Sequence, residues 1–434
     1  APEGPQTLTL PGVISGAGIL EMKGTGTLAL SGANTFTGGL TLTSGAVEVA
    51  TAAPLGTAAN PVNFNGGALR VTGMALTGLG SHPLNTATFN GGLEIADAGN
   101  VFTLGSPVSG AGALTKTGAG RLVLSGSNAL AGGVVLSTGQ LSFTGADAAL
   151  ASSAPLRVDG GTFIVPPVSP FSIGGLSGVG GTIRNDSVSG GSSSPLVLSV
   201  GNGGATASYA GVISDALGNY PVSLEKAGAG TQTLSSSQLY SGATRVRAGT
   251  LILTGSAPNT SALTIDAGAT FSFAGGQLGS ASGPSNIPVT NNGTLLLTAG
   301  NLTLTGAIVN NGTIRVAAGA TLNASGASSF INNGVIDLLD GTAQLPAGLV
   351  NGPAGVVLTP GSIGITGIAR TGTAVTISVP GYSGHTYHLQ KSATLLPDSF
   401  ADTAAPAQTG NSGAPLTFTD ISEADAAFYR VRID

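Results

Sequence analysis

The chain has 434 residues, of which 72 are Gly and none is Cys or Trp; 8% are charged, 41% are hydrophobic, and the net charge is −5. This composition is too apolar and too weakly charged for a disordered chain. It also excludes disulfides, Cys-based zinc sites and thiol catalysis, and it lacks the basic excess that nucleic-acid binding needs. The glycines do not fall at every third position, which excludes collagen; no run of about 18 apolar residues marks a membrane helix.

In chain order, the N-terminus opens Ala1-Pro2 without Met, as a processed, exported protein would and as a chain cut at an arbitrary point would equally. Residues Gln6, Thr7, Leu8, Thr9 and Leu10 alternate polar and apolar like a strand. Two dispositions fit this segment. In one, residues 1–10 form a donor segment that pairs with a neighbouring subunit's sheet edge, the C-terminal domain being one acceptor. In the other, the segment folds back as the first strand of its own stack.

From Gly16 a long unit begins. Gly16-Ala-Gly-Ile-Leu-Glu-Met-Lys-Gly-Thr-Gly-Thr-Leu-Ala-Leu-Ser-Gly-Ala-Asn34 returns as Gly110-Ala-Gly-Ala-Leu-Thr-Lys-Thr-Gly-Ala-Gly-Arg-Leu-Val-Leu-Ser-Gly-Ser-Asn128. A looser copy runs from Val222 to Ser235. Within each copy, segments such as Thr27-Leu-Ala-Leu-Ser31 and Leu122-Val-Leu124 alternate with period two, so one face is buried and the other solvated. A unit of this kind buries its apolar face only by stacking on the next, which predicts a solenoid.

After about residue 260 a shorter period appears. Asn291-Asn292-Gly293, Asn310-Asn311-Gly312 and Asn332-Asn333-Gly334 recur at spacings of 19 and 22, and Val350-Asn-Gly follows 18 residues later. These spacings match one coil of a parallel β-helix. The Asn-Gly pairs are expected at a repeated turn of positive φ, with Asn292, Asn311 and Asn333 stacked into a hydrogen-bonded ladder. After Thr359 the repeat stops and charges return, with strands expected at Ala374–Val379, Thr386–Gln390, Leu416–Thr419 and Ala427–Arg432. The expected organisation is thus a β-helix over 11–358 and a small β-sandwich over 361–434.

The long unit resembles the autotransporter-associated β-strand repeat of bacterial surface proteins. The resemblance rests on Gly16–Val49 (with Lys23, Phe36, Gly38 and Gly39), on Gly110–Phe143 (with Lys116, Gly132 and Gly133), and on Leu224–Leu253. The third copy keeps Lys226, Gly228, Gly230, Tyr240, Gly242 and Gly249 but has Ser236 and Gln238 where Gly and Asn are usual. The residues after Thr359 resemble a small C-terminal β-domain of Verrucomicrobia-type secreted proteins, through Tyr387–Leu395 and Phe428–Arg432. They are too short for a membrane barrel of ten-residue strands. The resemblance implies a secreted, right-handed parallel β-helix at the cell surface, without enzymatic activity, cofactor or membrane insertion.

The candidate sites are few. Asp215, Glu225 and Lys226 form the densest charge group of the repeat region; it reads first as a solvated loop between strands, and the alternative is a glycan contact through Asp215 and Tyr220. Residues 267–314 hold no charged side chain, and the acids elsewhere stand singly, which argues against a polysaccharide lyase or hydrolase. His385 and His388 lie three apart, on opposite faces of one strand, and do not chelate one metal. Lys23, Lys116 and Lys226 each precede a Gly-rich turn, and their stems are expected on the solenoid wall with the ammonium in water. The expected role is a structural, self-associating fibre subunit, its partner a further copy of itself; the alternative is a glycan-binding adhesin stalk.

Overall fold

The computed structural model describes residues 6–433, apart from 167, 187–195, 216–220, 281–282, 362, 395, 412–413 and 423–426. Among the described residues there is no α-helix, only short 3-10 turns such as Ala53–Leu55. The chain separates into two compact units: Ala1–Ile336 with Asp340–Val356, and Asp337–Leu339 with Val357–Asp434.

The first unit is a parallel β-solenoid. Its early coils build one sheet that begins with Thr7–Leu10, Thr27–Leu30 and Ala46–Val49 and ends at Leu176–Ser177. Its later coils build a sheet from Phe171–Ser172 to Val350–Asn351 and another from Ala207–Tyr209 to Val356–Leu358. Strands of successive coils pair parallel and mostly in register, with shifts at Ser125–Ser127 and Asn65–Ala68, so side chains of one position stack into columns. Leu251, Phe271, Leu295 and Ile314 form one such column, all at most 1% exposed. Each of these side chains contributes about 1.5–3 kcal/mol by leaving water. Wider coils take aromatic filling: the Phe64 and Phe89 rings lie 4.9 Å apart, and Phe143, Phe163 and Phe171 form a triangle with 5.6–5.9 Å edges.

Segment Thr7–Leu10 is a strand of this sheet. It runs parallel to Thr27–Leu30, with Thr7 opposite Thr27 and Leu10 opposite Leu30, and the Gln6 carbonyl accepts from Thr27 N at 2.9 Å. Within the single chain the segment thus takes the fold-back pairing.

The second unit is antiparallel. Gly367–Thr371, Ala374–Pro380 and Pro415–Ile421 form one sheet; Thr386–Ser392 carries Phe428–Ile433 and two short strands in another. Val375, Ile377, Val379, Leu416 and Phe418 from the first sheet meet Tyr387 and Leu389 from the second, giving a small two-sheet core.

Candidate functional site

The three lysines do not share one environment. The offset that carries Gly16 to Gly110 carries Met22, not Lys23, to Lys116, and Lys226 is the true counterpart of Lys116. Lys23 is exposed and pairs with Glu21 at 2.9 Å. Lys116 and Lys226, expected in water, are fully buried. The Lys116 ammonium donates to the carbonyls of Thr117 (2.5 Å), Gly118 (2.7 Å) and Thr138 (3.3 Å). That of Lys226 donates to Ala227 (2.6 Å), Gly228 (2.8 Å) and Ala248 (3.2 Å). Three carbonyls match three N–H donors, so each ammonium ties its own turn to the next coil. Burial pulls both amines down to about 8. The correction has a plain cause. Alternation puts Lys116 on the inner face with Leu114, shielded from solvent, and its acceptors are backbone carbonyls at the corner.

In the first copy Met22 occupies this place. A Cβ on Gly45 would meet the Met22 methyl and the Gly24 and Gly26 carbonyls; one on Gly139 would meet the Lys116 ammonium and the Gly118 and Gly120 carbonyls. Gly39 and Gly133 also have positive φ (101° and 81°), and a Cβ there would meet the rings of Pro61 and Pro155 in the following coil.

The Asn-Asn-Gly repeats form two side-by-side ladders. In the exposed one, Asn311 Nδ2 donates to Asn292 Oδ1 (2.7 Å) and Asn333 Nδ2 to Asn311 Oδ1 (2.8 Å). The second ladder, absent from the sequence reading, is built from the preceding residues. Asn291 Nδ2 donates to Asn310 Oδ1 (2.7 Å), Asn310 to Asn332 (2.8 Å) and Asn332 to Asn351 (2.8 Å). Asn291, Asn310 and Asn332 are fully buried. The signal was present: Asn291 alternates with Val289, Asn310 with Ile308 and Asn332 with Phe330, all inward positions. The two ladders donate in opposite directions along the stack, so their amide dipoles oppose each other. Gly293, Gly312 and Gly334 lack the positive φ expected of them. They are required because a Cβ on Gly312 would strike the Gly293 carbonyl, and one on Gly334 the Gly312 carbonyl.

Single buried carboxamides play a related part at other corners. Asn34 accepts from Ile14 N (2.8 Å) and donates to Pro54 O (2.7 Å); Asn128 accepts from Val108 N (2.9 Å). Gln238, where the repeat usually has Asn, does the same work, accepting from Ile213 N at 2.9 Å and donating to Gly211 O at 3.2 Å.

Asp215 accepts from the backbone N–H of Val222 (2.7 Å) and, across to the next coil, of Ser241 (2.8 Å). Tyr220, its companion in the alternative glycan contact, lies outside the described residues. In the second unit His385 is buried with Nε2 2.7 Å from Asp337 Oδ2, while His388 is part-exposed with Nδ1 3.9 Å from Asp402. Among the described residues no group of three or more His, Asp or Glu side chains could hold a metal ion.

Three segments, residues 20–49, 114–143 and 224–253, match the family model described as Passenger-associated-transport-repeat. The chain is also similar to the adhesin BmaC autotransporter of Brucella suis biovar 1 (strain 1330), at 38% identity over 134 residues. That match covers 31% of this chain and 4% of the adhesin.

Proposed function

We propose that this chain is a non-enzymatic passenger segment displayed outside a bacterial cell, where its solenoid serves as the stalk of an adhesin-like protein. The observation that carries this reading is how the passenger-type repeat uses its polar residues. Lys116, Lys226, Asn34, Asn128 and Gln238 all bond backbone of the same or an adjacent coil. The charged side chains also pair between coils, as Arg70 does with Glu48 (3.1 Å) and Glu94 (3.4 Å), and Arg245 with Asp266 (2.8 Å). Such a surface builds length, and its carboxylates are engaged by arginines along the stack. The similarity to an autotransporter adhesin supports the cell surface as its place. Antibody against the chain should label intact native cells; labelling that appears only after permeabilisation would overturn the reading. Acidic and neutral polysaccharides incubated with the chain should release no reducing sugar, and sustained release would show an enzyme instead.

A further inference from the structure

The arginines of the solenoid unit are mostly matched to carboxylates: Arg157 to Asp159 (2.7 Å), Arg184 to Asp186 (2.7 Å) and Arg247 to Glu225 (3.3 Å), besides those above. The second unit departs from this pattern. Strands Thr386–Ser392 and Phe428–Ile433 pair antiparallel, with His388 opposite Arg432 and Gln390 opposite Arg430. Tyr387 and Leu389 enter the core, so His388, Gln390, Phe428, Arg430 and Arg432 share the opposite face.

Arg430 is exposed and held from two sides. Its Nε donates to Gln390 Oε1 at 2.7 Å, and its guanidinium lies 4.5 Å over the Phe400 ring. Gln390 is itself anchored, donating to Asp402 Oδ1 at 2.7 Å. Asp402 stands 3.5 Å from Arg432 and 3.9 Å from His388, and no carboxylate is paired with Arg430 among the described residues. Arg430 stands apart from the Asp402 carboxylate, with Gln390 and Phe400 as its described partners. Its guanidinium is already oriented, so little entropy is lost when an anion is captured through the two Nη atoms. Phe428, 38% exposed, lies two residues from Arg430 on the same strand face, about 7 Å away along the strand.

We propose that this face binds an acidic polysaccharide, with Arg430 taking the carboxylate of a uronate residue and Phe428 stacking on a pyranose ring. The spacing of cation and exposed aromatic suits a ring bearing its own carboxylate. Two arginines and a histidine make too small a basic surface for nucleic acid, which needs an extended cationic track.

The test uses the full chain and polygalacturonate at low ionic strength, with binding followed by biolayer interferometry. Polygalacturonate should bind and neutral dextran should not. Arg430→Gln should weaken binding about tenfold or more, since it removes a charge-assisted bidentate contact. Phe428→Ala should weaken it severalfold, and Arg247→Gln, an exposed cation of the solenoid, should leave it unchanged. Thermal midpoints matched to wild type show that each variant is folded, and Arg430→Lys, which keeps the charge and loses the fork, should fall between wild type and Arg430→Gln. The proposal fails if polygalacturonate does not bind, or if Arg430→Gln binds as well as wild type. Tighter binding of polyglutamate or of an oligodeoxynucleotide would replace the polysaccharide by another class of polyanion.

Discussion

At the residue scale, this protein places charged and polar groups in its interior and satisfies them with backbone of adjacent coils. Lys116 and Lys226 are the clearest case, and they predict a pH dependence. Burial lowers each amine from 10.5 to about 8. Between those values the unfolded chain holds protons that the folded chain has released, so stability rises as pH climbs from about 8 to about 10.5. Below about 8 both states are protonated and these groups contribute no slope. The thermal midpoint followed by calorimetry should therefore rise over that alkaline window, and the rise should shrink in the Lys116→Met, Lys226→Met double variant. Met22 already fills the equivalent place, so the double variant should be folded and within about 1–2 kcal/mol of wild type at pH 7, because an apolar isostere removes both the buried charge and its desolvation cost. Asn310 gives a second test. Its carboxamide accepts from Asn291 and donates to Asn332 Oδ1 and to Val335 O (3.1 Å). Asn310→Leu strands these buried partners and should cost about 2–4 kcal/mol in urea unfolding. Asn311→Leu acts on the exposed ladder, where water replaces the lost bonds, and should cost less than about 1 kcal/mol.

At the element scale, the strands are short and the corners decide the geometry. A three- or four-residue strand such as Thr250–Leu253 contributes only its inward pair, Leu251 and Leu253, to the core. Coils stay in register because the corners between strands are built from glycines that let backbone touch backbone. Gly139 combines both demands: φ is +73°, and a Cβ would meet the carbonyls of Gly118 and Gly120 in the coil before. Gly139→Ala should destabilise by more than the roughly 1 kcal/mol of a simple positive-φ penalty, since the coil spacing must also widen. Gly268 has a similar φ, +77°, with open space around its Cβ position. Gly268→Ala therefore isolates the dihedral cost, and the difference between the two variants in chemical denaturation measures the close approach. Equal losses in the two would show that coil spacing plays no part.

At the scale of the whole molecule, stability is distributed along the stack. Each coil is held by its neighbours, so the apolar columns carry the free energy and the surface charges add little. The pairs Arg157–Asp159 and Arg245–Asp266 have arginines more than half exposed, and exposed pairs contribute about 0–1 kcal/mol and are screened by salt. Raising NaCl from 50 mM to 1 M should leave the thermal midpoint nearly unchanged. A large fall would mean that the ladders of charge, and not the apolar columns, hold the solenoid together.

Period-two alternation, the recurrence of whole units and the density of glycine were enough, before any coordinates, to determine a parallel stack of short strands followed by an antiparallel unit. Those signals are local, because a strand's inner face and a coil's length are written in neighbouring residues. The positions of individual side chains were partly legible. The inward setting of Asn291 and Lys116 follows from alternation with Val289 and Leu114, but a polar residue invites a solvent assignment. Only the tertiary structure decided that Lys116 and Lys226 are caged by carbonyls, that Asn residues form two opposed ladders, and that Gly312 is needed for closeness and not for its dihedral angle. It also decided that Arg430 stands over Phe400. Each of these depends on which residue of another coil or strand lies within about 5 Å across the hydrogen-bonding direction, a distance set by register between segments and not by the order of residues within one.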